Sequence, residues 1–158
     1  MLIEWEIVMK FNIPFINQGG FNFLCAREGF RSTPYLDSAG VPTIGIGTTC
    51  LPNGDKVTMN TPLINKLEAI QYANNYLKHL QQWMQNNLKW QPNSNQLIAL
   101  YSFLYNTGVG SRFAKYVNTK KAIIDGDIPN IIIGMKSIRN NGLLDSRRQL
   151  ECEMFNKG

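Results

Sequence analysis

The segment from Tyr35 to Val57 restricts the fold more than any other part of the sequence, because turn-forming residues divide it into pieces too short for helices. The turn formers are Asp37-Ser-Ala-Gly40, Pro42, Gly45, Gly47 and Pro52-Asn-Gly-Asp55. The pieces between them are apolar or β-branched, as in Thr43-Ile44. This pattern predicts a small antiparallel sheet of two or three hairpin strands.

Helical patterns lie on both sides of this segment. A short helix is predicted from Gln18 to Glu28, with Gly29 as its C-terminal cap. Thr61-Pro62 resembles an N-cap followed by a first helical residue, and a long helix is predicted from there to about Asn87. Its apolar stripe consists of Leu63, Leu67, Ile70, Leu77, Leu80 and Met84.

The C-terminal half contains helical patterns throughout. Asn93-Ser94 begins a helix whose body, 97–105, is apolar almost all round and is therefore expected at the centre of a helical lobe. Shorter helices are predicted over 112–124, 130–138 and 145–155. The fold class is thus α+β, with an N-terminal lobe of about 16–60 that holds a small antiparallel sheet. A connecting helix of about 61–87 joins it to a helical C-terminal lobe of about 88–158.

Composition narrows the classes of function. The 158 residues are 44% hydrophobic and 17% charged, which argues against disorder. The net charge of +5 favours acidic partners, so nucleic acid, an anionic membrane and an anionic cell wall are all compatible with it. The lysines and arginines are scattered, however, and no zinc finger or basic helix supports nucleic-acid binding. No apolar run is long enough to span a membrane, so no stable insertion is expected.

Cysteine and histidine usage limits the chemistry further. Three cysteines without C-x-x-C spacing indicate reduced thiols, and we expect neither a disulfide framework nor a metal or other cofactor. His79 is the only histidine, and a single histidine excludes a histidine-rich metal cluster. We expect His79 at the surface. The first ten residues place acids inside an apolar stretch and show no basic region, so no secretory signal is expected.

One group of polar residues suggests catalysis. Glu28 at a helix end and Asp37 in the following hairpin can face each other across a cleft, as two carboxylates do in glycoside hydrolysis. Thr43 could hold a water in line, and Gly45 and Gly47 could let a polysaccharide approach the backbone. Taken singly, each residue also has an ordinary structural explanation: a solvated charge, a turn residue, a strand former and two bulges.

The combination resembles the phage-type lysozymes, the family of the T-even phage lysozyme and many endolysins (glycoside hydrolase family 24). Eight residues separate Glu28 from Asp37, and five separate Asp37 from Thr43. The context is Glu-Gly-x-Arg, then Tyr-x-Asp-x-x-Gly, then Thr-Ile-Gly-Ile-Gly. Further along the chain the resembling segments are Ala99-Leu-x-Ser-Phe103, Asn106-x-Gly108, Gly126-Asp127 and Gly142-Leu-Leu-x-Ser-Arg147-Arg148-x-x-Glu151. The resemblance covers about 16–155, so residues 1–15 are expected to be an N-terminal extension outside it.

The resemblance implies a lysozyme-like fold and a muramidase that cuts the β-1,4 bond between N-acetylmuramic acid and N-acetylglucosamine in peptidoglycan. Glu28 would be the general acid, Asp37 the base that activates water, and Thr43 the residue that positions it. Inversion at the anomeric carbon would require about 6.5 to 9.5 Å between the two carboxyls. The resemblance implies that the protein is a monomeric, bacteriolytic endolysin, which is made in the host cytoplasm and acts on the cell wall after release.

Other residues are assigned by looser alignment. Thr49, Tyr105 and Asn106 are expected in the substrate cleft. One of Arg147 and Arg148 is expected to support Glu28, since a helix directs only one of two neighbours to a given face. Thr48 stands where many relatives carry a histidine, so altered substrate contacts are expected there. Cys25 is expected in the core and Cys50 near the cleft mouth.

Two alternative functions stay open at this point. A peptidoglycan-binding protein could keep the fold without turnover, and a virion-associated or effector lysozyme could use the same chemistry in another setting. A lytic transglycosylase would need no water-activating aspartate, so Asp37 with Thr43 favours hydrolysis.

Overall fold

The computed structural model describes residues 11–110, 116–139 and 142–158. Within these residues the chain forms six helices and one two-stranded antiparallel sheet, which confirms the α+β class. In chain order the elements are α1 Gln18–Glu28, β1 Arg31–Leu36, β2 Pro42–Gly45, α2 Lys66–Asn87, α3 Ser94–Thr107, α4 Val117–Asp125, α5 Ile128–Ser137 and α6 Asp145–Phe155. Residues 1–10 and the predicted helical start at 112–115 lie outside the described residues.

Helix α1 has the predicted bounds, and both of its ends follow from local chemistry. The Asn17 side chain accepts a hydrogen bond from the backbone N–H of Gly20, which caps the first turn. At the other end Gly29 adopts φ 69° and donates its N–H to the carbonyl of Cys25. A residue with a Cβ is strained at such a positive φ, so glycine ends the helix directly after Glu28.

The sheet is smaller than the upper limit of the prediction and starts earlier. Strand β1 begins at Arg31, and Tyr35 pairs with Thr43 across the hairpin. An irregularity in the register separates the Arg31 pair from the Tyr35 pair. Beyond β2 the chain forms only the isolated bridges Ile44↔Thr48 and Cys50↔Lys56. The hairpin therefore carries Asp37 and Thr43, the two candidate catalytic residues that follow Glu28 in the sequence.

The predicted start of α2 is wrong. The helix begins at Lys66, because Asn65 and Glu68 form a capping box in which each side chain accepts a hydrogen bond from the other residue's backbone N–H. The Thr61 hydroxyl instead accepts the backbone N–H of Thr58 in a preceding turn. Leu63 therefore precedes the helix, and both it and Leu67 are exposed rather than part of the apolar stripe.

Helix α3 occupies the centre of the helical part, as predicted. Asn93 and Gln96 form its capping box, so Ser94 is the first helical residue. The helix contacts α1, α2 and α6, and its body is buried on every side. Apolar residues around the full circumference are stable only in such a position.

Of the last three helices, α6 packs on α3, while α4 packs on α5 and α5 packs on α6. Helix α5 begins at Ile128, two residues before the predicted start, because Asp127 accepts the backbone N–H of Asn130 as its cap. Helix α6 has the predicted bounds and packs mainly on α3 and α5. This packing places α6 beside the end of α3, where the candidate site lies.

The segment before α1 is also part of the core. Ile13 is 1% exposed, and its backbone is bound on both sides by glutamines of α2. Gln85 accepts the N–H of Ile13, and Gln81 donates to its carbonyl. The Tyr101 hydroxyl on α3 donates to the carbonyl of Pro14. The segment 11–16 therefore ties α2 to α3.

Among the described helices, none combines the length and hydropathy that crossing a lipid bilayer requires.

Candidate active site

A cleft of about 500 Å³ separates the hairpin from the ends of α3 and α6. Its walls include seven of the eight residues selected from the sequence: Glu28, Asp37, Thr43, Thr49, Tyr105, Asn106 and Arg147. The eighth, Arg148, lies behind the wall in the core and is 1% exposed. Residues far apart in the chain thus meet around one space.

Glu28, at the end of α1, is held by a charged hydrogen bond. Its Oε1 accepts Nη1 of Arg147 at 2.6 Å, and the Glu28 side chain is only 14% exposed. A charge-assisted contact of this length in a largely buried position fixes the direction of the carboxyl group. Of the two neighbouring arginines, Arg147 is therefore the one that reaches Glu28.

Arg147 uses its whole guanidinium to join three elements. Besides Glu28 on α1, its Nε donates to Glu151 Oε1 at 2.9 Å within α6. Its Nη2 donates to the backbone carbonyl of Ser102 on α3 at 2.8 Å. Such planar, multiply bonded recognition is a property of arginine that a lysine cannot reproduce.

Arg148 faces the other side of α6, as the helical geometry predicts. Its Nε donates to the carbonyl of Ile138, its Nη1 to Glu151 Oε2, and its Nη2 to Asn106 Oδ1. Arg148 therefore supports the cleft through Asn106 and does not contact Glu28.

Glu151 connects the two arginines and was given no role by the sequence analysis. It is fully buried, and its carboxylate accepts hydrogen bonds from both arginines and from the Ser102 hydroxyl. Its position four residues after Arg147 is the available sequence signal, since such pairs are adjacent on a helix. Ser102, inside an apolar helix, showed no comparable signal.

The electrostatics of the two arginines differ. Burial alone lowers the pKa of Arg147, but the charges of Glu28 and Glu151 outweigh this effect, so its pKa lies above the usual value. Burial also lowers the pKa of Arg148, and Glu151 offsets that only in part. The stronger stabilisation of positive charge is therefore at Arg147, next to the cleft.

Asp37 is held by its own turn on the opposite wall. Its Oδ1 accepts the backbone N–H groups of Ala39 and Val41, both at 2.8 Å. Both of these bonds go to Oδ1, which fixes the direction of the carboxylate in its own turn. Thr43 is 2% exposed, and its hydroxyl donates to the Val41 carbonyl at 2.8 Å. A hydroxyl whose proton is engaged in this way can accept a hydrogen bond from a water.

Three tyrosines surround the carboxylate of Glu28. For Tyr35, Tyr76 and Tyr105, burial raises the pKa, and the negative charge of Glu28 raises it further. The pKa of Tyr76 reaches about 12. Tyr76 lines the cleft and packs edge-on against Tyr105, with ring centroids 5.2 Å apart. The sequence analysis missed Tyr76, since an aromatic residue in an amphipathic helix is usually part of the core.

The remaining residues occupy varied positions. Thr49 and Cys50 are exposed and line the cleft, which agrees with the expectation for Cys50. Cys25 is partly buried against the core, where burial raises its thiol pKa. His79 is exposed, as predicted, and stacks on Tyr76. Thr48 is buried, and its side chain interacts with the phenol of Tyr105.

Among residues 11–110, 116–139 and 142–158, no three histidine, cysteine, aspartate or glutamate side chains are grouped as a metal site would require. The candidate catalytic groups that line the cleft are the carboxyls of Glu28 and Asp37 and the hydroxyl of Thr43, with the guanidinium of Arg147 beside Glu28.

Comparisons with known proteins concern the sequence as a whole and the fold. The sequence model of the phage lysozyme family matches residues 26–149. The endolysin of Salmonella phage P22 is 28% identical over 148 residues, which are 89% of this chain and 97% of that protein.

Solved structures give the same picture of the fold. A mutant of P22 lysozyme superposes with a TM-score of 0.68 at 23% identity, covering 90% of this chain and 98% of that one. The muramidase domain of SpmX from Asticaccaulis excentricus superposes with a TM-score of 0.70 at 18% identity, and the superposition covers 90% of this chain and 98% of that domain.

Proposed function

Because the chain belongs to the phage lysozyme family, we propose that Glu28 is its general acid, Asp37 its general base, and Thr43 the residue that positions the attacking water. The protein is a muramidase, a glycoside hydrolase that degrades peptidoglycan. The bond cut joins N-acetylmuramic acid to N-acetylglucosamine.

The observation that carries the assignment of roles is that Glu28 and Asp37 line the same cleft from different elements. Glu28 gives its proton to the glycosidic oxygen as the bond breaks. Asp37 takes a proton from a water that attacks the anomeric carbon from the other face, and Thr43 accepts a hydrogen bond from that water. The products are two shorter glycans: one ends in the hydroxyl formed when Glu28 protonates the leaving oxygen, and the other carries the water-derived hydroxyl on its anomeric carbon.

Arg147 presents a difficulty for this mechanism, because a cation favours the ionised form of a nearby carboxyl whereas a general acid must carry its proton. Arg147 is shared with Glu151, however, and Glu151 in turn binds Arg148. Around a protonated Glu28 the charges of Arg147, Arg148 and Glu151 sum to +1, so Glu151 offsets the two arginine charges in part. We assign Arg147 the role of orienting Glu28 and linking α1, α3 and α6.

The neighbouring cleft residues are proposed to bind substrate. Thr49 offers an exposed hydroxyl, and Tyr105 presents the edge of its ring. Arg148 holds Oδ1 of Asn106, so the amide nitrogen of Asn106 is the atom available to donate to a sugar substituent.

The biological setting is proposed to be that of an endolysin. The P22 relative is named an endolysin, and the net charge of +5 would draw the protein to an anionic cell wall. We propose a monomer, made in the host cytoplasm, that reaches the wall after release. Higher salt should weaken this attraction.

The test of the assignment compares Glu28→Gln with Glu153→Gln. Glu153 lies exposed on α6 and bonds only to the neighbouring Gln149 in the described structure, so it is a matched control for charge. Turbidity clearing of purified cell walls should fall about 10²- to 10⁴-fold in Glu28→Gln and stay unchanged in Glu153→Gln. Full clearing by a folded Glu28→Gln variant would overturn the role of Glu28.

Two product measurements separate the alternatives. Proton NMR of fresh product should show the inverted anomer, and retention would mean that Asp37 attacks the sugar directly. Mass analysis should show hydrolysed reducing ends rather than anhydro-sugars. A protein that binds walls but releases no product would support a fold kept without turnover.

A further inference from the structure

A short loop that follows β2 lies against Glu28. Its residues are Ile46, Gly47 and Thr48, and Gly47 has φ 68°, a conformation suited to glycine. A Cβ atom at Gly47 would overlap Glu28 Oε2 and would also lie 3.4 Å from Cε1 of Tyr105. The backbone of this loop therefore forms the surface on which Oε2 rests.

Tyr105 fastens this loop to the central helix. Its hydroxyl donates to the carbonyl of Ile46 at 2.5 Å, across 59 positions of sequence. The Thr48 side chain also interacts with the phenol, on which it acts to lower the pKa. Tyr105 itself is 6% exposed and sits on α3, the most enclosed helix of the structure. Two polar contacts thus hold both sides of Gly47.

The two oxygens of Glu28 are controlled from different directions. Oε1 is bonded to Arg147 from α6, and Oε2 rests on the loop that Tyr105 holds from α3. We propose that the Tyr105 hydroxyl, together with Thr48, is a positioning group for the general acid, acting through the Ile46–Thr48 loop rather than on the substrate. This rests on the proposed role of Glu28.

The proposal also gives a function to Thr48, which stands where many relatives carry a histidine. The sequence analysis expected the absence of a histidine there to change substrate contacts. Thr48 lines the cleft, is 7% exposed, and its side chain interacts with the phenol, so the expectation about substrate contacts stays a prediction. A short hydroxyl at this position leaves room for the Tyr105 oxygen between itself and the Ile46 carbonyl.

The experiment compares Tyr105→Phe with Tyr101→Phe. Both residues are buried on α3, and each hydroxyl donates to one backbone carbonyl, Ile46 for Tyr105 and Pro14 for Tyr101. The Tyr101 bond lies outside the cleft, so its loss controls for removing a buried phenolic hydrogen bond. Steady-state kinetics on a soluble peptidoglycan oligosaccharide and urea unfolding are measured for each variant.

We expect Tyr105→Phe to lower kcat about 10- to 100-fold with KM nearly unchanged, because a displaced acid slows proton transfer without altering binding. The alkaline limb of its pH–rate profile, which reports loss of the proton of the general acid, should also move. Tyr101→Phe should lose unfolding stability to a similar extent and keep kcat. Unchanged kcat in Tyr105→Phe, or an equal loss of kcat in Tyr101→Phe, would overturn the proposal.

Two further variants distinguish this proposal from the assignment of Glu28. Thr48→Val keeps the side-chain shape but removes the hydroxyl. A fall in kcat that is smaller than that of Tyr105→Phe supports the proposal, whereas a change in KM alone contradicts it. In a Glu28→Gln background, Tyr105→Phe should cause no additional loss of activity, because it acts through Glu28. If Glu28→Gln is itself fully active, the proposed function fails independently of the loop.

Discussion

Arg147 Nη1 lies 2.6 Å from Glu28 Oε1, although 119 positions of sequence separate the two residues. A single guanidinium therefore connects the end of the first helix to the last helix, and through Ser102 to the central one. Orientation of Glu28 depends in this way on packing that involves nearly the whole described chain.

Replacing the two arginines separately should give different phenotypes. A lysine in Arg147→Lys cannot bond Glu28, Glu151 and the Ser102 carbonyl together, so kcat should fall about 10- to 100-fold and the pH–rate profile should shift. Arg148→Lys should mainly reduce the free energy of unfolding, by about 3 kcal/mol, because its charge and partners are buried. Kinetics against pH and urea unfolding measure both effects. Unchanged rate and profile in both variants would refute an orienting role.

Gly47→Ala and Gly54→Ala separate backbone strain from contact with the acid. Both glycines have positive φ, 68° and 93°, so each alanine should cost about 1 kcal/mol of unfolding stability. Only at Gly47 would the new Cβ overlap Glu28 Oε2, since nothing lies within 4 Å of a Cβ at Gly54. Wall-clearing activity should therefore fall at least about tenfold in Gly47→Ala alone. Equal activities in the two variants would exclude the steric contact as a determinant.

The buried phenols predict a loss of stability at alkaline pH. Burial and the charge of Glu28 raise the pKa of Tyr76 from 10 to about 12, so the folded state holds this proton more tightly than the unfolded chain does. The corresponding stability is complete below pH 10 and is lost as the pH rises from 10 towards 12. Tyr76→Phe should make this decline shallower in urea unfolding between pH 9 and 12. Identical slopes for the variant and the parent would contradict the prediction.

Ile13→Ala tests whether the segment before α1 belongs to the folded unit. Deleting a side chain that is 1% exposed should cost about 2 to 5 kcal/mol of unfolding free energy. Asn12→Ala, at an exposed neighbouring position, should change it by less than about 0.5 kcal/mol. Thermal or urea unfolding gives both values. A negligible effect of Ile13→Ala would show that packing of this side chain does not make the segment part of the folded unit.

Local patterns predicted most of the fold. The bounds of α1 and α3 followed from caps and apolar spacing, because these signals lie within a few residues of the boundary they define. The bounds of α6 were also predicted, although no side chain caps its first turn. The start of α2 was missed although its capping box, Asn65-x-x-Glu68, is visible in the sequence. Thr61-Pro62 offered an equally good pattern, and the choice between them depended on the turn that Thr61 forms with Thr58.

The site was predictable to the extent that its residues are close in sequence. Glu28, Asp37 and Thr43 lie on one helix end and one hairpin, so their spacing is informative. The choice between Arg147 and Arg148 depended on how α6 is rotated against α3, which no local pattern records. Ser102 and Tyr76 were missed for the same reason, because their roles arise only from packing.

The enclosure of α3 has a consequence for the motions that the cleft can undergo. Backbone amides of α3 should exchange with deuterium most slowly, since exposing them requires global unfolding, whereas the short hairpin can open in local fluctuations. We therefore expect the wall that contains Tyr105 and Asn106 to exchange more slowly than the wall that contains Asp37 and Thr43. Equal exchange rates in the two walls would show that the cleft opens and closes only as the whole protein unfolds.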